Sequence, residues 1–311
     1  MKILITGING FVGSNLVQDL KNEHILYGLD IITPEIEGVR HTYSWDDLDK
    51  ELIDDIDTII HLAGIAHDTK NQTKEEDYIS INTKLTQKVF DYFLKSSASK
   101  FIFFSSVKAV ADFVQEKVLY EDVVPNPKGP YGVSKLMAED YIMKHLPTNK
   151  SVYILRPSMI HGPGNKGNLN LLFKVIQSGI PWPLGAFENK RSFTSIDNLC
   201  YIIENIVIKN IPTGVYNIAD DEAISTTELI HLICSVLNKK ARVWRLPKLL
   251  ISIFASIGSV LRLKLNTDRL NKLTENYVVS NSKIKKALDI DSMPVRAKDG
   301  LKKTIKSFSN C

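Results

Sequence analysis

Residues 2–13 read KILITGINGFVG, and this stretch decides the fold of the N-terminal half. Its first part, Lys2–Thr6, is rich in isoleucine and predicts a buried strand, after which a helix is predicted to begin at Phe11. Three glycines separate the two elements: Gly7, Gly10 and Gly13. Glycines at this spacing permit a tight turn and let the backbone approach a pyrophosphate, which the helix N-terminus then faces. The stretch therefore predicts a dinucleotide-binding turn.

The second predicted strand, Ile25–Asp30, ends in a carboxylate 17 residues after Gly13. A carboxylate at this place accepts hydrogen bonds from the ribose hydroxyls of a dinucleotide and repels a 2′-phosphate. Because the next two residues, Ile31 and Ile32, are not basic, the sequence predicts NAD rather than NADP as the cofactor.

Strand-like and helix-like segments alternate along residues 1–157. The predicted strands are Lys2–Thr6, Ile25–Asp30, Thr58–Ala63, Phe101–Ser106 and Val152–Pro157, and the predicted helices are Phe11–Lys21, Thr83–Lys95 and Tyr131–His145. This order predicts an α/β fold with a Rossmann-type, doubly wound parallel sheet. Residues 158–311 are predicted to form mainly a smaller, partly interleaved substrate lobe, some segments of which return to the sheet. Its predicted elements are a loop over His161–Asn170, helix Leu171–Ser178, a strand near Val215–Ala219 and helix Thr226–Leu237.

The composition of the 311 residues is that of an ordinary globular protein, with a net charge of +4. Residues 239–311 hold 17 Lys and Arg against 5 Asp and Glu, which we interpret first as a solvated basic face; no nucleic-acid partner is predicted. The three cysteines are too widely spaced for a disulfide framework or a Cys-x-x-Cys metal site, and the histidines are scattered, so no metal site is predicted. A cytoplasmic location is expected, since Gly7 ends the first apolar run too early for a signal peptide.

Tyr131 and Lys135 open a predicted helix at a spacing that puts a phenol and an ammonium group on one face. A nearby ammonium group favours the phenolate and brings the tyrosine pKa from about 10 toward neutrality, which suits acid–base chemistry. Ser105 and Ser106 close a predicted strand at the carboxyl edge of the sheet, where doubly wound folds bind ligands.

Taken together, these motifs resemble the extended short-chain dehydrogenase/reductase family, and within it the NAD-dependent nucleotide-sugar epimerase/dehydratase branch. The resemblance extends through His61-Leu62-Ala63-Gly64, Asn82, Leu155-Arg156-Pro157, Gly162-Pro163-Gly164, Arg191-Ser192-Phe193-Thr194 and Tyr216-Asn217-Ile218. It implies a catalytic trio of Ser106, Tyr131 and Lys135. It further implies that the cofactor is bound by Gly7, Gly10, Phe11, Val12, Gly13, Asp30, Leu62, Ala63, Gly64, Asn82, Ser105, Tyr131 and Lys135.

The same resemblance implies that Asn168, Leu172 and Arg191 bind the substrate. A guanidinium group suits a pyrophosphate because it binds bidentately, although a structural salt bridge is the alternative role for Arg191. Met159 and His161 depart from the usual residues of the family; His161, like His61 and His67, is interpreted as structural. Dehydratases of the branch carry an acidic pair after the catalytic hydroxyl residue, whereas Val107 and Lys108 follow Ser106 here, which disfavours water elimination.

The predicted function is an NAD-dependent 4-epimerase of a nucleotide sugar, a UDP-hexose or UDP-N-acetylhexosamine, acting in surface-polysaccharide precursor synthesis. The alternatives are an NAD(P)H-dependent reductase of nucleotide-4-keto-sugars and a 4-epimerase of an N-acetylhexosamine linked to a lipid diphosphate. A non-catalytic protein that senses dinucleotides is the alternative from another class. A homodimer is expected from the family.

One segment, Leu249–Leu261, is uncharged over 13 residues and flanked by Lys248 and Arg262. A 13-residue helix is only about 20 Å long, too short for a hydrocarbon core of about 30 Å. We interpret it either as a helix packed against the substrate lobe or a partner subunit, or as a peripheral helix lying in the surface of a membrane.

Overall fold

The computed structural model describes residues 1–50, 55–66, 73–114, 117–165, 167–260 and 266–309. Seven parallel strands form the main sheet, in the spatial order β3-β2-β1-β4-β5-β6-β9. They are β1 (Lys2–Thr6), β2 (Ile25–Leu29), β3 (Val39–Tyr43), β4 (Thr58–His61), β5 (Lys100–Phe104), β6 (Ser151–Pro157) and β9 (Gly214–Ile218). The predicted fold class, a doubly wound parallel α/β sheet, is confirmed.

Helices cover both faces of this sheet, so its central strands are buried on both sides. Helices α1, α6 and α10 pack on one face and α3 and α4 on the other. The helices of the described residues are α1 (Phe11–Leu20), α2 (Glu75–Tyr78), α3 (Leu85–Lys95), α4 (Pro130–Lys144), α5 (Asn168–Gln177), α6 (Ile196–Ile208), α7 (Thr226–Val236), α8 (Lys248–Val260), α9 (Thr267–Thr274), α10 (Ser282–Leu288) and α11 (Ala297–Ser309). Ile3 and Ile5 of β1 pack in a core with α1 and α6, whereas Leu4 packs on the opposite face with α3 and α4. Alternate residues thus supply two cores, as the pleat of a strand requires.

The predicted strands and helices lie within about four residues of the observed elements at their ends, as is usual for boundaries read from sequence. The edge strand β3 was not predicted, because its sequence VRHTY is largely polar. Helix α3 is preceded by α2 and by a π-helical turn, Ile79–Lys84, so the helical stretch begins before the predicted Thr83. The predicted loop His161–Asn170 also overlaps two elements, the end of a short strand and the start of α5.

A second lobe is built around a two-stranded parallel sheet of β7 (Met159–His161) and β8 (Phe193–Ser195). Its core is formed mainly by side chains of α5, α7, α8, α9 and α11. The chain returns from this lobe to add β9 beside β6, so the two parts are interleaved. The boundary between domains at residues 157 and 158 stays a prediction. Among the described residues, no helix is both long and apolar enough to cross a membrane.

Candidate active site

A cavity of about 540 Å³ lies where the carboxyl ends of the main-sheet strands meet the second lobe. This is the edge at which doubly wound sheets bind ligands. The predicted site residues on its wall are Gly7, Gly10, Phe11, Val12, Gly13, Leu62, Gly64, Ser105, Ser106, Tyr131, Lys135, Asn168 and Arg191. The structure therefore brings most of the predicted cofactor, catalytic and substrate residues to one place.

The glycine turn is too tightly packed to hold side chains. Gly7 has a φ of +68°, and a Cβ there would lie 2.9 Å from the backbone of Ala63. A Cβ at Gly13 would lie 2.5 Å from the carbonyl oxygen of Ile8. The N-terminal amide groups of α1 consequently face the cavity with bare backbone around them, which is the arrangement that a pyrophosphate needs.

Asp30 follows β2 directly beside this turn. Its carboxylate accepts hydrogen bonds from the backbone N–H groups of Asn9, at 2.9 Å, and Ile31, at 2.7 Å. The carboxylate is thus fixed against the glycine turn, at the position predicted for binding a ribose. The turn and the carboxylate together fit an NAD molecule.

Ser106 and Tyr131 meet at the cavity wall. The Ser106 hydroxyl caps a short 3-10 helix, Val107–Ala109, by accepting a hydrogen bond from the Lys108 backbone N–H at 3.2 Å. Tyr131 lies in the first turn of α4, which Pro130 begins, and the side chain of Ser106 is close enough to lower the pKa of its phenol. One turn later, the buried Lys135 Nζ donates a hydrogen bond to the carbonyl oxygen of Phe104 at 2.8 Å.

The electrostatics of Tyr131 differ from the sequence-based expectation. Burial raises the pKa of Tyr131 above its usual value near 10, and the neighbouring Ser106 side chain opposes this only in part. The expectation that Lys135 lowers the pKa of Tyr131 is therefore wrong for this structure, because the cost of burying a phenolate dominates. Burial also lowers the pKa of Lys135 to about 8, against the attraction of Glu139.

A buried ion pair below Ser105 and Lys135 was not predicted. Arg156 of β6 donates to Glu139 of α4 through Nε at 3.0 Å and through Nη2 at 2.5 Å. The Ser105 hydroxyl donates a hydrogen bond to the same carboxylate. Glu139 lies four residues after Lys135, so helical spacing alone indicated that the two share a face.

Asn82 and Ala63 are not among the described residues that line the cavity. Asn82, which lies in the π-helical turn, accepts a hydrogen bond from the Ile65 N–H at 2.8 Å and donates one to Ser134 Oγ at 3.0 Å. It thereby ties the loop after β4 to α4. The Ala63 N–H donates a hydrogen bond to Thr6 Oγ1 at 3.2 Å. π-Helical turns are frequent at functional sites, because they re-aim a side chain without ending the helix.

Two of the histidines that we interpreted as structural are indeed enclosed. His61 lies 2.6 Å from Thr6 Oγ1 and 2.9 Å from Thr86 Oγ1, and burial lowers its pKa to about 3. His161 is fully buried, with Nδ1 at 2.9 Å from Thr304 Oγ1. His67 lies outside the described residues. No group of three or more His, Cys, Asp or Glu residues in the described ranges is arranged to hold a metal ion.

The second lobe forms the opposite wall of the cavity. Asn168 and Arg191 line it, together with Met159 and Glu275, but Leu172 packs against the core of the second lobe and is not one of the described lining residues. Leu172 is only partly buried, and its contact with substrate stays a prediction. Arg191 Nη2 lies 3.7 Å from Glu275 Oε1, and burial lowers the pKa of this guanidinium group. Nothing in the sequence indicated Glu275.

A doubly wound sheet with a bare glycine turn, a carboxylate after β2 and a Ser–Tyr–Lys cluster defines a dinucleotide-binding enzyme of the short-chain dehydrogenase/reductase type. The model of the NAD dependent epimerase/dehydratase family matches residues 3–219, and the chain belongs to this family.

Two relatives extend this similarity over almost the whole chain. The chain is 29% identical to UDP-glucose 4-epimerase of Vibrio cholerae, covering 98% of this chain and 95% of the relative. It is also 29% identical to N-acetyl-alpha-D-glucosaminyl-diphospho-ditrans,octacis-undecaprenol 4-epimerase of Escherichia coli O157:H7, covering 91% and 84%.

A similar solved structure is that of UDP-glucuronic acid 4-epimerase from Bacillus cereus in complex with UDP-glucuronic acid and NAD. Its TM-score is 0.77 at 24% identity, with 100% of this chain and 99% of that chain covered. At this identity the likeness supports the fold alone. The predicted family, the NAD cofactor and the class of NAD-dependent sugar epimerases are confirmed by the family match and by the relatives.

Proposed function

We propose that this protein is an NAD-dependent 4-epimerase of a UDP-hexose or UDP-N-acetylhexosamine that acts through a 4-keto intermediate. The observation that carries the proposal is the meeting of Ser106, Tyr131 and Lys135 at the cavity that the glycine turn also lines. An intact trio at a cavity has a use in acid–base chemistry, whereas a protein that only senses a dinucleotide has no need of one.

Tyr131 is the proposed acid–base residue. Burial raises its pKa and so disfavours the phenolate, which is the form that can accept a proton, and the Ser106 side chain offsets this in part. In the forward half-reaction the phenolate form of Tyr131 takes the proton of the C4 hydroxyl, and in the second half the phenol formed in this way returns the proton to the oxygen of the keto sugar. Ser106 holds that oxygen in reach of Tyr131.

Several residues of this chain would hold the cofactor. The glycine turn and the N-terminus of α1 would bind the pyrophosphate, Asp30 would bind the adenosine ribose, and Lys135 would bind the nicotinamide ribose. NAD supplies a reversible hydride acceptor for C4 of the sugar. The keto sugar must then present its other face, which requires room in the cavity.

Arg191 and Asn168 are the proposed contacts of the diphosphate on the substrate side. A guanidinium group in a partly buried wall binds a diphosphate through two parallel hydrogen bonds. The relative from Vibrio cholerae is named UDP-glucose 4-epimerase and covers 98% of this chain, which supports a UDP-sugar as the substrate class. The same proposal includes a role in surface-polysaccharide precursor synthesis, a location in the cytoplasm and a homodimeric state.

A second candidate substrate is an N-acetylhexosamine carried on a lipid diphosphate. The relative from Escherichia coli O157:H7 is named for such a substrate and covers 91% of this chain. The diphosphate would use the same Arg191 contact, so only the group beyond the diphosphate differs. Parallel assays on UDP-N-acetylglucosamine and on its polyprenyl-diphosphate counterpart distinguish the two substrates.

The experiment that tests the proposed acid–base residue compares two tyrosines whose rings are in contact. Tyr131 and Tyr78 lie edge to face, with ring centroids 6.3 Å apart. We expect Tyr131→Phe to lower kcat for UDP-sugar epimerisation about 10³-fold, because the transferable proton is lost, and to leave NAD affinity almost unchanged. Tyr78→Phe makes the same chemical change beside the site and should retain most of the activity. Activity of Tyr131→Phe within a few-fold of the unchanged protein would refute the mechanism.

A further inference from the structure

Helix α8 has apolar side chains on two opposite sides. Ile251 and Ala255 are buried and pack into the core of the second lobe with Leu270 of α9. The side facing away from this core, which we name the α8 outer face, consists of Leu249, Leu250, Ile253, Phe254 and Ile257. These five side chains are 47% to 72% exposed. A surface helix of a globular protein normally carries polar residues there.

The exposed apolar residues are concentrated at this place. Of the 21 large apolar residues exposed in the described part of the chain, seven fall between Trp244 and Ile257. Scattered apolar residues on a surface need no explanation, whereas a contiguous cluster marks a site of interaction. Trp244 and Leu246, which precede the helix in the sequence, are exposed as well.

The serine hydroxyl groups of α8 donate hydrogen bonds within the helix itself. Ser252 Oγ donates a hydrogen bond to the carbonyl oxygen of Lys248 at 3.0 Å, and Ser256 Oγ donates to that of Ser252 at 2.9 Å. Ser259 Oγ donates to Ala255 in the same way, at 3.1 Å. Because these hydroxyl groups are bonded to their own helix, they would bring no unpaired donor into an apolar phase.

The charge around α8 is of one sign. Residues 229–267 contain seven Lys and Arg and no Asp or Glu. Arg242, Arg245 and Lys248, which lead into the helix, are exposed. An exposed apolar helix face whose flanking sequence carries Lys, Arg and a tryptophan is the pattern of a helix at the surface of an anionic bilayer. A second copy is disfavoured, because two-fold symmetry would set the same basic border of each copy against the other.

We propose that the α8 outer face is a docking surface for an anionic lipid bilayer. The helix has 13 residues and a length of about 20 Å, so it lies parallel to the membrane, its outer face among the upper acyl chains. Arg242, Arg245 and Lys248 then contact the anionic headgroups. Leu261 and Arg262, the end of the apolar segment and the basic residue after it, lie outside the described residues. This proposal is independent of the substrate, and its test does not measure activity.

The test is flotation of the full-length protein with vesicles of phosphatidylcholine that contain phosphatidylglycerol, and with vesicles of phosphatidylcholine alone. We expect binding to the anionic vesicles at low salt, and weaker binding at high salt or without phosphatidylglycerol. Ile253→Ser combined with Phe254→Ser should weaken binding about tenfold or more, since it removes apolar contacts with the acyl chains. Val124→Ser combined with Ile208→Ser, two exposed apolar residues elsewhere, is the matched control and should bind normally.

Charge reversal provides an independent test that leaves the apolar side chains of the α8 outer face unchanged. Arg245→Glu combined with Lys248→Glu should weaken binding to anionic vesicles about tenfold or more. Lys144→Glu combined with Lys302→Glu makes the same change in net charge on other exposed positions and should have little effect. Failure of the unchanged protein to float with anionic vesicles at low salt would overturn the proposal. So would normal binding by both α8 variants. A dimer that dissociates in the Ile253 and Phe254 variant, without vesicle binding by the unchanged protein, would assign the face to a second copy.

Discussion

Two Arg–Glu pairs lie on opposite sides of the cavity, and they differ in N–O distance and in burial. Arg156 and Glu139, below the cofactor side, lie 2.5 Å apart, and their side chains are only 6% and 3% exposed. Arg191 and Glu275, on the substrate side, are separated by 3.7 Å and are 21% and 18% exposed. Arg156 donates two hydrogen bonds to Glu139, through Nε and Nη2. The Arg191–Glu275 pair has the longer N–O distance, and both of its residues line the cavity.

The difference separates a supporting role from a binding role. The carboxylate of Glu139 is held by Arg156 and also accepts the Ser105 hydrogen bond, so the cofactor side is fixed from below. A pair with a long N–O distance is weaker, and a diphosphate offers Arg191 a better partner than Glu275 does. We infer that the cofactor side is preorganised, whereas the substrate side exchanges one anion for another.

Breaking the buried pair should have the largest effect. Arg156→Met leaves Glu139 buried without its partner, which we expect to lower the free energy of unfolding by about 3–5 kcal/mol. Urea denaturation followed by circular dichroism measures this loss. The double variant Glu139→Leu with Arg156→Met removes both charges and should recover most of the stability. A loss below about 1 kcal/mol in the single variant would mean that the pair does not support the cofactor side.

Removing the cation on the substrate side should affect binding rather than folding. We expect Arg191→Met to raise KM for the UDP-sugar about 10- to 100-fold, since a hydrogen bond to a charged group contributes about 1.5–3 kcal/mol. The free energy of unfolding should change by less than about 1 kcal/mol, because the pair is only partly buried. NAD titration of the same variant is the control and should give an unchanged affinity. A variant that loses stability while retaining its KM would return Arg191 to the structural salt bridge that the sequence left open.

Removing the competing carboxylate should have the smallest effect, in the opposite direction. Glu275→Gln takes a negative charge away from Arg191, so KM for the UDP-sugar should stay the same or fall by a few-fold. Steady-state kinetics on the UDP-sugar with saturating NAD measure it. A tenfold rise in KM would show that Glu275 itself helps to bind the substrate.

The cofactor-binding part of the site could be predicted from the sequence, because the residues that determine it are close together in the chain. The glycines, Asp30 and the Tyr131–Lys135 spacing each depend on neighbours within one strand–turn–helix unit, and the strand periodicity fixed their place at one edge of the sheet. The edge strand β3 escaped prediction because pairing on a single side allows a polar sequence.

The substrate-binding part of the site was harder to predict from the sequence, because its contacts join distant parts of the chain. Glu275 meets Arg191 from 84 positions away, and no pattern in the sequence indicates that contact. Leu172, which the resemblance assigns to the substrate, packs in part against the core of the second lobe, and the sequence alone does not indicate that packing. The pKa of Tyr131 was misjudged for a physical reason, because spacing along a helix gives the neighbouring charge but not the degree of burial.

The central claim is that the reaction at C4 is reversible within one active site and consumes no reductant. The most direct measurement uses a UDP-sugar with deuterium at C4, incubated with the purified protein and NAD, without NADH or NADPH. We predict that the C4 epimer forms, that it retains the deuterium at C4, and that no reduced cofactor accumulates. A product that forms only when a reduced cofactor is added, or an epimer that has lost its deuterium, would contradict the claim and favour the ketoreductase.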